Sequence, residues 1–398
     1  MLDRRGAERA VDAPDAGRLA GVTGSPLIRR RGDRIWGRLE GERIEAIVVF
    51  GHGVIGSYGY LAYTSGYAPV VRAANVVLFP DADPVAVVAT GADAWYARNR
   101  AGLADVRVAG EGDILSEYDD LGAGVAALLA ERGAAGGRIG VVGMRHAASA
   151  WEAERLRALL PAAELVDVTP AVTAVKAVKD PEDIAELEAT AAIGDEALDA
   201  FLAQLRPGMT GWEANGVIEE AARSRGVKDA LIFVSAGAYF LERPTAEPFA
   251  DGDLITVYVE IIGPTGYWIE LARLVALGRL DADRSAIAAA CLDAARSAEA
   301  LLVTGRSAGE AAQAIDDVAA RAGVRVGIWH GHGVGIDHDA PVITAGDATP
   351  LERDMVIALH PNFSTADERL GASVADTYVI GAGAPRRLSR VDPGLIQA

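Results

Sequence analysis

The segment His330-Gly-His-Gly-Val-Gly-Ile-Asp-His-Asp-Ala-Pro341 places three imidazoles and two carboxylates among three glycines. The chain has only 6 histidines, so half of them lie in this one segment. Glycines at positions 331, 333 and 335 have no Cβ, and a ligand or a neighbouring strand can therefore approach the backbone closely. His360 follows nineteen residues after the segment. This clustering predicts a binding or catalytic site.

The composition is that of a globular protein with two ordinary domains: 398 residues, 51% hydrophobic and 24% charged. No apolar run reaches the roughly 18 to 20 residues that a membrane span needs, and the first twenty residues lack the apolar centre of a signal peptide. We therefore expect a cytoplasmic location and no membrane partner. The net charge of −18 argues against nucleic acid as a partner. Cys291, the only cysteine, is predicted to be a small buried residue.

The N-terminal part alternates short β-branched runs with amphipathic helical patterns, which is typical of an α/β domain. Residues 1–30 show no such pattern and are predicted to be a tail, so that the first domain covers residues 31–175. Residues 169–178 are interpreted as a connector, and Asp180-Pro181 is a good helix start. The predicted strands are 44–50, 75–79, 85–90 and 138–142, and the predicted helices are 123–132 and 149–160.

The C-terminal part, residues 176–398, contains an internal repeat. The pattern Gly208…Glu213…Ile218…Gly226 recurs 97 residues later as Gly305…Glu310…Ile315…Gly323 without a gap. Each copy predicts a tight glycine turn, a capped helix and a glycine stop. We therefore expect one domain of two pseudo-equivalent halves, each with a helix pair followed by strands. The predicted strands are 230–235, 254–262 and 266–277 in the first half, and 324–329, 355–359 and 373–380 in the second.

These features resemble the creatinase, prolidase and methionine aminopeptidase superfamily, also called M24, whose catalytic domain has the pita-bread fold. The resemblance rests on Gly331-His-Gly-Val-Gly335 with His338 and Pro341, preceded by Gly252-Asp-Leu254 and Gly266-Tyr267. Residues 39–67 and Lys179-Asp-Pro-Glu182 resemble the starts of the two creatinase-type domains. The resemblance implies a mixed α/β (α+β) chain with a creatinase-like N-terminal domain, a pita-bread C-terminal domain and a homodimer.

Peptidases of this superfamily hold two metal ions with two aspartates, one histidine and two glutamates, and this sequence departs from that set. His332 matches the ligand histidine, and Glu270 stands where the second aspartate is expected. Tyr258 replaces the first aspartate, although Glu260 follows on the same strand face. His360 replaces one glutamate, and Ala375 replaces the other. Two ions therefore cannot be held in the family's way.

Two interpretations of the site stay open. In the first the site has no metal, and histidines and a carboxylate transfer protons directly, as the resemblance to creatinase implies. In the second a single Zn, Fe or Mn ion is held by His332, His360, Glu270 and Glu260, which are suitable nitrogen and oxygen ligands.

The resulting hypothesis is a non-peptidase enzyme that cleaves a C–N bond in a small polar, carboxylate-bearing metabolite, with His338, His360, Glu270 and His332 as catalytic residues. His338 or His360 would move a proton to the leaving group, Glu270 would position or activate water, and His332 would orient the substrate. The candidate substrate-binding residues are Tyr258, Glu260, Arg72 and His330. The alternatives are a mononuclear-metal hydrolase or lyase, an Xaa-Pro dipeptidase-like enzyme, and an inactive pita-bread domain used for binding. The identity of the substrate is not encoded in any motif.

Overall fold

A computed structural model describes residues 26–54, 56–110 and 120–398 of the chain. The N-terminal part builds a mixed six-stranded sheet in the order β4-β3-β2-β1-β5-β6. Apolar cores cover both faces of this sheet, one beneath α4 and α5 and the other beneath α1, α2, α3 and α6. The elements are α1 (Pro26–Arg38), β1 (Ala46–His52), α2 (Gly59–Ser65), β2 (Ala73–Leu78), β3 (Val85–Val88), α3 (Gly91–Asn99), β4 (Asp105–Val108), α4 (Leu121–Glu131), β5 (Arg138–Val142), α5 (Ala150–Leu159), β6 (Glu164–Asp167) and α6 (Thr169–Ala177).

Two expectations from the sequence need correction here. The predicted tail extends too far, because residues 26–30 already belong to α1, whose Ile28, Arg31 and Ile35 are buried. Residues 1–25 lie outside the described part of the chain. The predicted connector at 169–178 is instead helix α6, whose proline in the first turn leaves no unsatisfied donor. The strand predicted at 138–142 is confirmed.

The C-terminal part contains three sheets, and the two larger ones meet edge to edge. A four-stranded sheet has the order β18-β9-β8-β7, a five-stranded one the order β12-β11-β13-β16-β17, and a small one the order β10-β14-β15. Ala272 and Ala375 form the bridge between the two larger sheets, with N–H···O distances of 2.9 and 3.2 Å. The elements are α7 (Pro181–Leu202), α8 (Gly211–Arg223), β7 (Asp229–Ser235), β8 (Leu254–Ile262), β9 (Trp268–Ala276), α9 (Ala282–Glu299), α10 (Ala308–Ala322), β10 (Arg325–Val326), β11 (Gly331–Gly335), β12 (Asp337–Val342), β13 (Val356–Leu359), β14 (Asn362–Ser364), β15 (Gly371–Ser373), β16 (Asp376–Val379), β17 (Arg386–Arg387) and β18 (Ile396–Gln397).

The internal repeat is visible in the helix caps. Thr210 and Glu213 form a capping box at the start of α8, and Ser307 and Glu310 form the same box at the start of α10. The glycines before these caps have matching left-handed backbone conformations, with φ of 85° at residue 208 and 90° at residue 305. The two halves therefore share local structure as well as sequence spacing.

The helix pairs cover one face of the curved sheet and leave the other face for polar side chains. On β8, Val257, Val259 and Ile261 pack into the core under α7 and α8. The alternate residues Tyr258 and Glu260 face the opposite side, because side chains alternate along a strand. None of the helices in the described ranges is long and apolar enough to cross a bilayer.

Candidate active site

Two buried glutamates face each other on neighbouring strands. Glu260 of β8 and Glu270 of β9 are directly opposite in the antiparallel register, with 7% and 2% of their surfaces exposed. Burial and the charge of Glu270 raise the pKa of Glu260, although His338 counteracts part of the effect. Burial would also raise the pKa of Glu270, but the neighbouring His332, His360 and Tyr258 hydroxyl together outweigh burial and lower this pKa. The two carboxyl groups thus differ in their affinity for a proton.

His332 is paired with Glu270. Its Nδ1 donates to the carbonyl oxygen of Gly333 at 2.9 Å, so a proton on Nε2 makes the ring an imidazolium. Nε2 lies 2.9 Å from Oε1 of Glu270, at an angle that makes the contact electrostatic rather than an aligned hydrogen bond. Burial lowers the pKa of His332, but the charge and close contact of Glu270 together with the Gly333 carbonyl outweigh burial and raise this pKa above its usual value. His332 and Glu270 therefore form a buried ion pair.

His338 is the more accessible histidine of the cluster, with 39% of its side chain exposed. Its Nε2 lies 3.3 Å from Oε1 of Glu260 and 3.9 Å from Oε1 of Glu270, and its ring centroid is 4.4 Å from that of His332. Burial lowers the pKa of His338, but the contacts of its ring with Asp337 and Glu260 and the nearby carboxylate charges raise it to about 10. His338 is thus a protonated imidazole that faces open space.

Tyr258 and an apolar cluster close one side of the site. The Tyr258 hydroxyl donates to Oε2 of Glu270, and its ring stacks on Phe240 with centroids 4.7 Å apart. The cluster packs Phe233, Phe240, Tyr258, Ala272 and Ala375 together. The methyl group of Ala375 therefore lies in an apolar environment, at the position where the family resemblance would have placed a carboxylate.

His360 reaches the site from the end of β13. It is 2% exposed, and its ring centroid lies 5.4 Å from that of His332. Burial lowers the pKa of His360 to about 4, so the ring is neutral near pH 7. Its Nδ1 is buried and has no hydrogen-bond partner among the described residues.

Two predicted substrate-binding residues make contacts elsewhere. His330 is buried, and its Nε2 lies 2.8 Å from Oδ1 of Asp316 on helix α10. Arg72, at the start of β2, has its guanidinium 3.8 Å from Asp93 in the N-terminal part. The structure therefore brings together Tyr258, Glu260, Glu270, His332, His338 and His360, and gives His330 and Arg72 partners outside that group.

Several buried polar atoms of the cluster have no aligned partner in the described part of the chain: Oε1 of Glu260, Oε1 of Glu270 and Nδ1 of His360. Buried polar atoms in folded proteins are normally satisfied, because leaving one unpaired costs about 1–3 kcal/mol. Their concentration in one place indicates that a polar ligand completes the site.

The side chains do not fit a pair of metal ions. Tyr258 already donates its proton to Glu270, and Ala375 lies among aromatic rings and offers no ligand atom. A single ion is a separate case, because ligand atoms of Glu270, His332 and His338 all lie within 4.8 Å of one another. This set contains His338 in place of the His360 and Glu260 expected from the sequence.

The sequence analysis missed two supports of His338. The Trp268 ring packs against it at a tilt, with ring centroids 5.0 Å apart, and Asp337 accepts a hydrogen bond from its ring. The position of Asp337 next to His338 was the available signal. The signal for Trp268 was weaker, because its place in the site depended on the register of β9 with β8.

A curved sheet of two related halves, with a polar cluster on its uncovered face and an N-terminal α/β sheet, defines a two-domain pita-bread protein. The sequence profile of metallopeptidase family M24 matches residues 185–382, and the chain belongs to the M24 superfamily. It is 28% identical over 247 residues to "Uncharacterized peptidase YqhT" of Bacillus subtilis (strain 168), covering 60% of this chain and 69% of that protein.

Solved structures show the same fold at low sequence identity. The X-Pro aminopeptidase from Thermotoga maritima is 16% identical with a TM-score of 0.78, covering 92% of this chain and 99% of that one. The dipeptidase PepE from Mycobacterium ulcerans is 22% identical with a TM-score of 0.77, covering 93% and 98% of the two chains. At these identities the likeness establishes the fold alone.

Proposed function

We propose that this protein hydrolyses a C–N bond in a small polar substrate by direct acid–base catalysis, in the manner of creatinase, without a pair of metal ions. The observation that carries the proposal is the cluster of Glu260, Glu270, His332 and His338, whose members differ in proton affinity. Titratable groups whose pKa values are driven apart in one pocket are typical of acid–base catalysis.

The roles follow from exposure and protonation. His338 faces open space as an imidazolium and can protonate the leaving nitrogen from Nε2. Glu260 has a raised pKa and a buried oxygen without an aligned donor, so it is the better base for water. Glu270, whose pKa is lowered, is a weak base and instead holds His332 charged. This changes the role expected for Glu270 from activating water to electrostatic support.

The proposed reaction balances within these residues. Glu260 removes a proton from water, the water oxygen bonds to the substrate carbon, and the C–N bond breaks as His338 protonates the nitrogen. Glu260 then returns its proton to Nε2 of His338, from which its Oε1 is separated by 3.3 Å. His332 stabilises negative charge that develops on the substrate. In a homodimer, Arg72 of the neighbouring subunit would bind a substrate carboxylate, as the resemblance to creatinase-type enzymes implies.

A second candidate is a hydrolase with one metal ion. The convergence of Glu270, His332 and His338 supports it, and a bound ion would polarise a substrate carbonyl or activate water. The names of the structural relatives, which include prolidases and dipeptidases, make an Xaa-Pro dipeptide the substrate to test for this candidate.

The deciding experiment measures metal content per chain for untagged wild-type protein, His332→Ala and His360→Ala, together with turnover of two substrate panels. The panels are small amides and amidines bearing a carboxylate, and Xaa-Pro dipeptides. Chelator-resistant cleavage in the first panel supports the proposal. About one ion per chain that is lost in His332→Ala, with chelator-sensitive dipeptide cleavage, overturns it in favour of the metal hydrolase. Binding without any turnover in either panel indicates a binding module.

A further inference from the structure

Asp337 is held in an unusual position beside His338. Its φ of 75° is in the left-handed region, which residues other than glycine rarely adopt. The residue is buried, with 4% of its surface exposed. Oδ1 accepts hydrogen bonds from the backbone N–H of His338 at 2.9 Å and from Nδ1 of the same residue at 3.4 Å. The carboxylate therefore contacts the ring on the side opposite to Nε2, which faces Glu260.

The other oxygen of Asp337 is held from the N-terminal part of the chain. Oδ2 accepts the backbone N–H of Gly59, the first residue of α2, at 3.2 Å. Only glycine fits there, since a Cβ on residue 59 would lie 2.6 Å from Cβ of Asp337 and 2.9 Å from the carbonyl oxygen of Ile336. The glycine at position 59 thus allows the start of α2 to come close enough to Asp337 for this hydrogen bond to form.

A second contact runs in parallel from the residue before Gly59. The hydroxyl of Tyr58 accepts a hydrogen bond from Nε1 of Trp268 at 2.9 Å, and the Trp268 ring packs against His338 with centroids 5.0 Å apart. Two consecutive residues of the N-terminal part therefore support the same imidazole, one through Asp337 and one through Trp268.

We propose that Asp337 is a positioning residue that orients the ring of His338 through Nδ1, and that Gly59 of the N-terminal part holds Asp337 in place. This inference rests on the proposed function, in which Nε2 of His338 transfers the proton. A carboxylate on Nδ1 keeps Nε2 directed at the substrate and Glu260, and this orientation depends on both parts of the chain. The N-terminal part is then a component of the site and more than a scaffold.

The start of β12 has a second anchor that does not involve Asp337. Asp339, on the other side of His338, has its carboxylate buried between the ammonium groups of Lys176 and Lys179. This end of the strand thus stays attached to the protein if the Asp337 contacts are weakened, so a loss of positioning can be distinguished from a loss of stability.

The first test is Asp337→Asn, followed by nitrogen-15 and proton NMR of the histidine rings near pH 7, with His338 assigned by its loss in His338→Gln. Asparagine has a similar size and tolerates left-handed φ. The asparagine side chain has one acceptor oxygen, whereas the aspartate has two, of which one accepts from Gly59 and the other from His338. The substitution therefore removes one of these two contacts. We expect the slowly exchanging Nδ1 proton of His338 to disappear or to shift strongly upfield. An unchanged signal in the folded variant overturns the proposal.

The matched control compares Gly59→Ala with Gly91→Ala. Both glycines are the first residue of a helix, but a Cβ on residue 91 meets nothing within 4 Å. We expect Gly59→Ala to perturb the His338 signal as Asp337→Asn does, and Gly91→Ala to leave it unchanged. If Asp337→Asn does not fold, Gly59→Ala alone decides, and an undisturbed signal in it contradicts the inference.

Turnover gives the second measurement. On any substrate found, Asp337→Asn should lower kcat about tenfold or more with KM changed by less than about twofold, because orientation matters most in the transition state. The NMR result does not depend on turnover. A perturbed signal without a cleavable substrate therefore supports the positioning role and removes the proposed function, whereas a normal signal removes the positioning role alone.

Discussion

At the scale of single residues, the site is governed by how the same chemical group behaves in different surroundings. Glu260 and Glu270 are directly opposite each other, and each lies near a histidine, but the histidine of Glu270 is closer, at 2.9 Å against 3.3 Å, and Glu270 also accepts the Tyr258 hydroxyl. His338 and His360 differ in the same way, since one lies among carboxylates and the other is enclosed without a partner. Acid and base roles are thus set by neighbours.

Replacing His338 by Ala should lower the rate of C–N cleavage by about 10²-fold or more, because it removes the proton donor to the leaving nitrogen. Steady-state kinetics on the substrate found in the amide and amidine panel would measure this. His146→Ala is the control, since His146 stacks on Tyr60 away from the site. Full activity of His338→Ala would exclude His338 from proton transfer.

The buried neutral ring of His360 predicts a specific dependence of stability on pH. Its pKa is about 4 in the folded chain and about 6.5 when unfolded. Between these values the unfolded chain binds the extra proton, so the stabilising contribution of the neutral ring is complete above about pH 6.5 and is lost toward pH 4. Urea unfolding of wild type and His360→Gln should give free energies that diverge by up to about 3 kcal/mol over this range. Parallel pH profiles would show that His360 titrates normally.

At the scale of helices and strands, local sequence predicted elements best where pattern and burial agree. Strand β8 was predicted with its observed ends, and the helix caps of the repeat were predicted from serine, threonine and glycine positions. Helix α1 was missed because its charged residues hide a narrow buried stripe of Ile28, Arg31 and Ile35. In a sequence, a buried arginine such as Arg31 cannot be distinguished from a surface arginine until its partners are known.

Strand β12 depends on a buried charge cluster with two cations, Lys176 and Lys179, and one anion, Asp339. Lys179 donates to Asp339 at 2.7 Å and to two backbone carbonyls, and Lys176 contacts the other oxygen of Asp339. Asp339→Ala should lower the free energy of unfolding by about 3–5 kcal/mol, because two buried cations lose their counter-ion. Lys179→Met should cost clearly less, since the Lys176–Asp339 pair remains. Urea denaturation measures both variants, and equal losses would contradict this account.

At the scale of the whole molecule, the two parts of the chain are joined through Arg31 of α1. This fully buried guanidinium contacts Asp183 of α7, donates to the carbonyl oxygen of Tyr63 on α2 at 3.1 Å, and reaches the hydroxyl of Tyr267 at 3.3 Å. The boundary between the predicted domains is therefore a polar, closely packed junction. We expect both parts to unfold together.

Arg31→Met should weaken this junction by about 3–5 kcal/mol, because Asp183 stays buried without its cation. Differential scanning calorimetry should show one transition for wild type and two separated transitions for the variant. Arg29→Met is the control, because Arg29 lies on the same helix in an exposed pair with Asp83. A single transition that only moves to lower temperature would argue against a link between two separable domains.

The same scale limits what sequence can predict about the site. The motif around His332 and the replaced family positions were enough to predict six members of the cluster. The hydrogen bond from Gly59 to Asp337 was not predictable, because the two residues are 278 positions apart in the chain. The contact of Trp268 with His338 was not predictable either, because it depends on how β9 and β12 are placed by the fold. His330 was selected because it lies in the same segment as His332, but its ring contacts Asp316. Arg72, which contacts Asp93 within this chain, was proposed to act in a neighbouring subunit, and that role stays a prediction.

The two halves of the internal repeat contribute different chemical groups to the cluster around His332. Tyr258, Glu260 and Glu270 belong to the first half of the C-terminal part, and His332, His338 and His360 belong to the second. A break in the turn between β9 and α9, at residues 279–281, would place both glutamates of the cluster on one fragment and its three histidines on the other. The chain is therefore suited to a split reporter, in which neither fragment carries the chemistry and reassembly alone restores it.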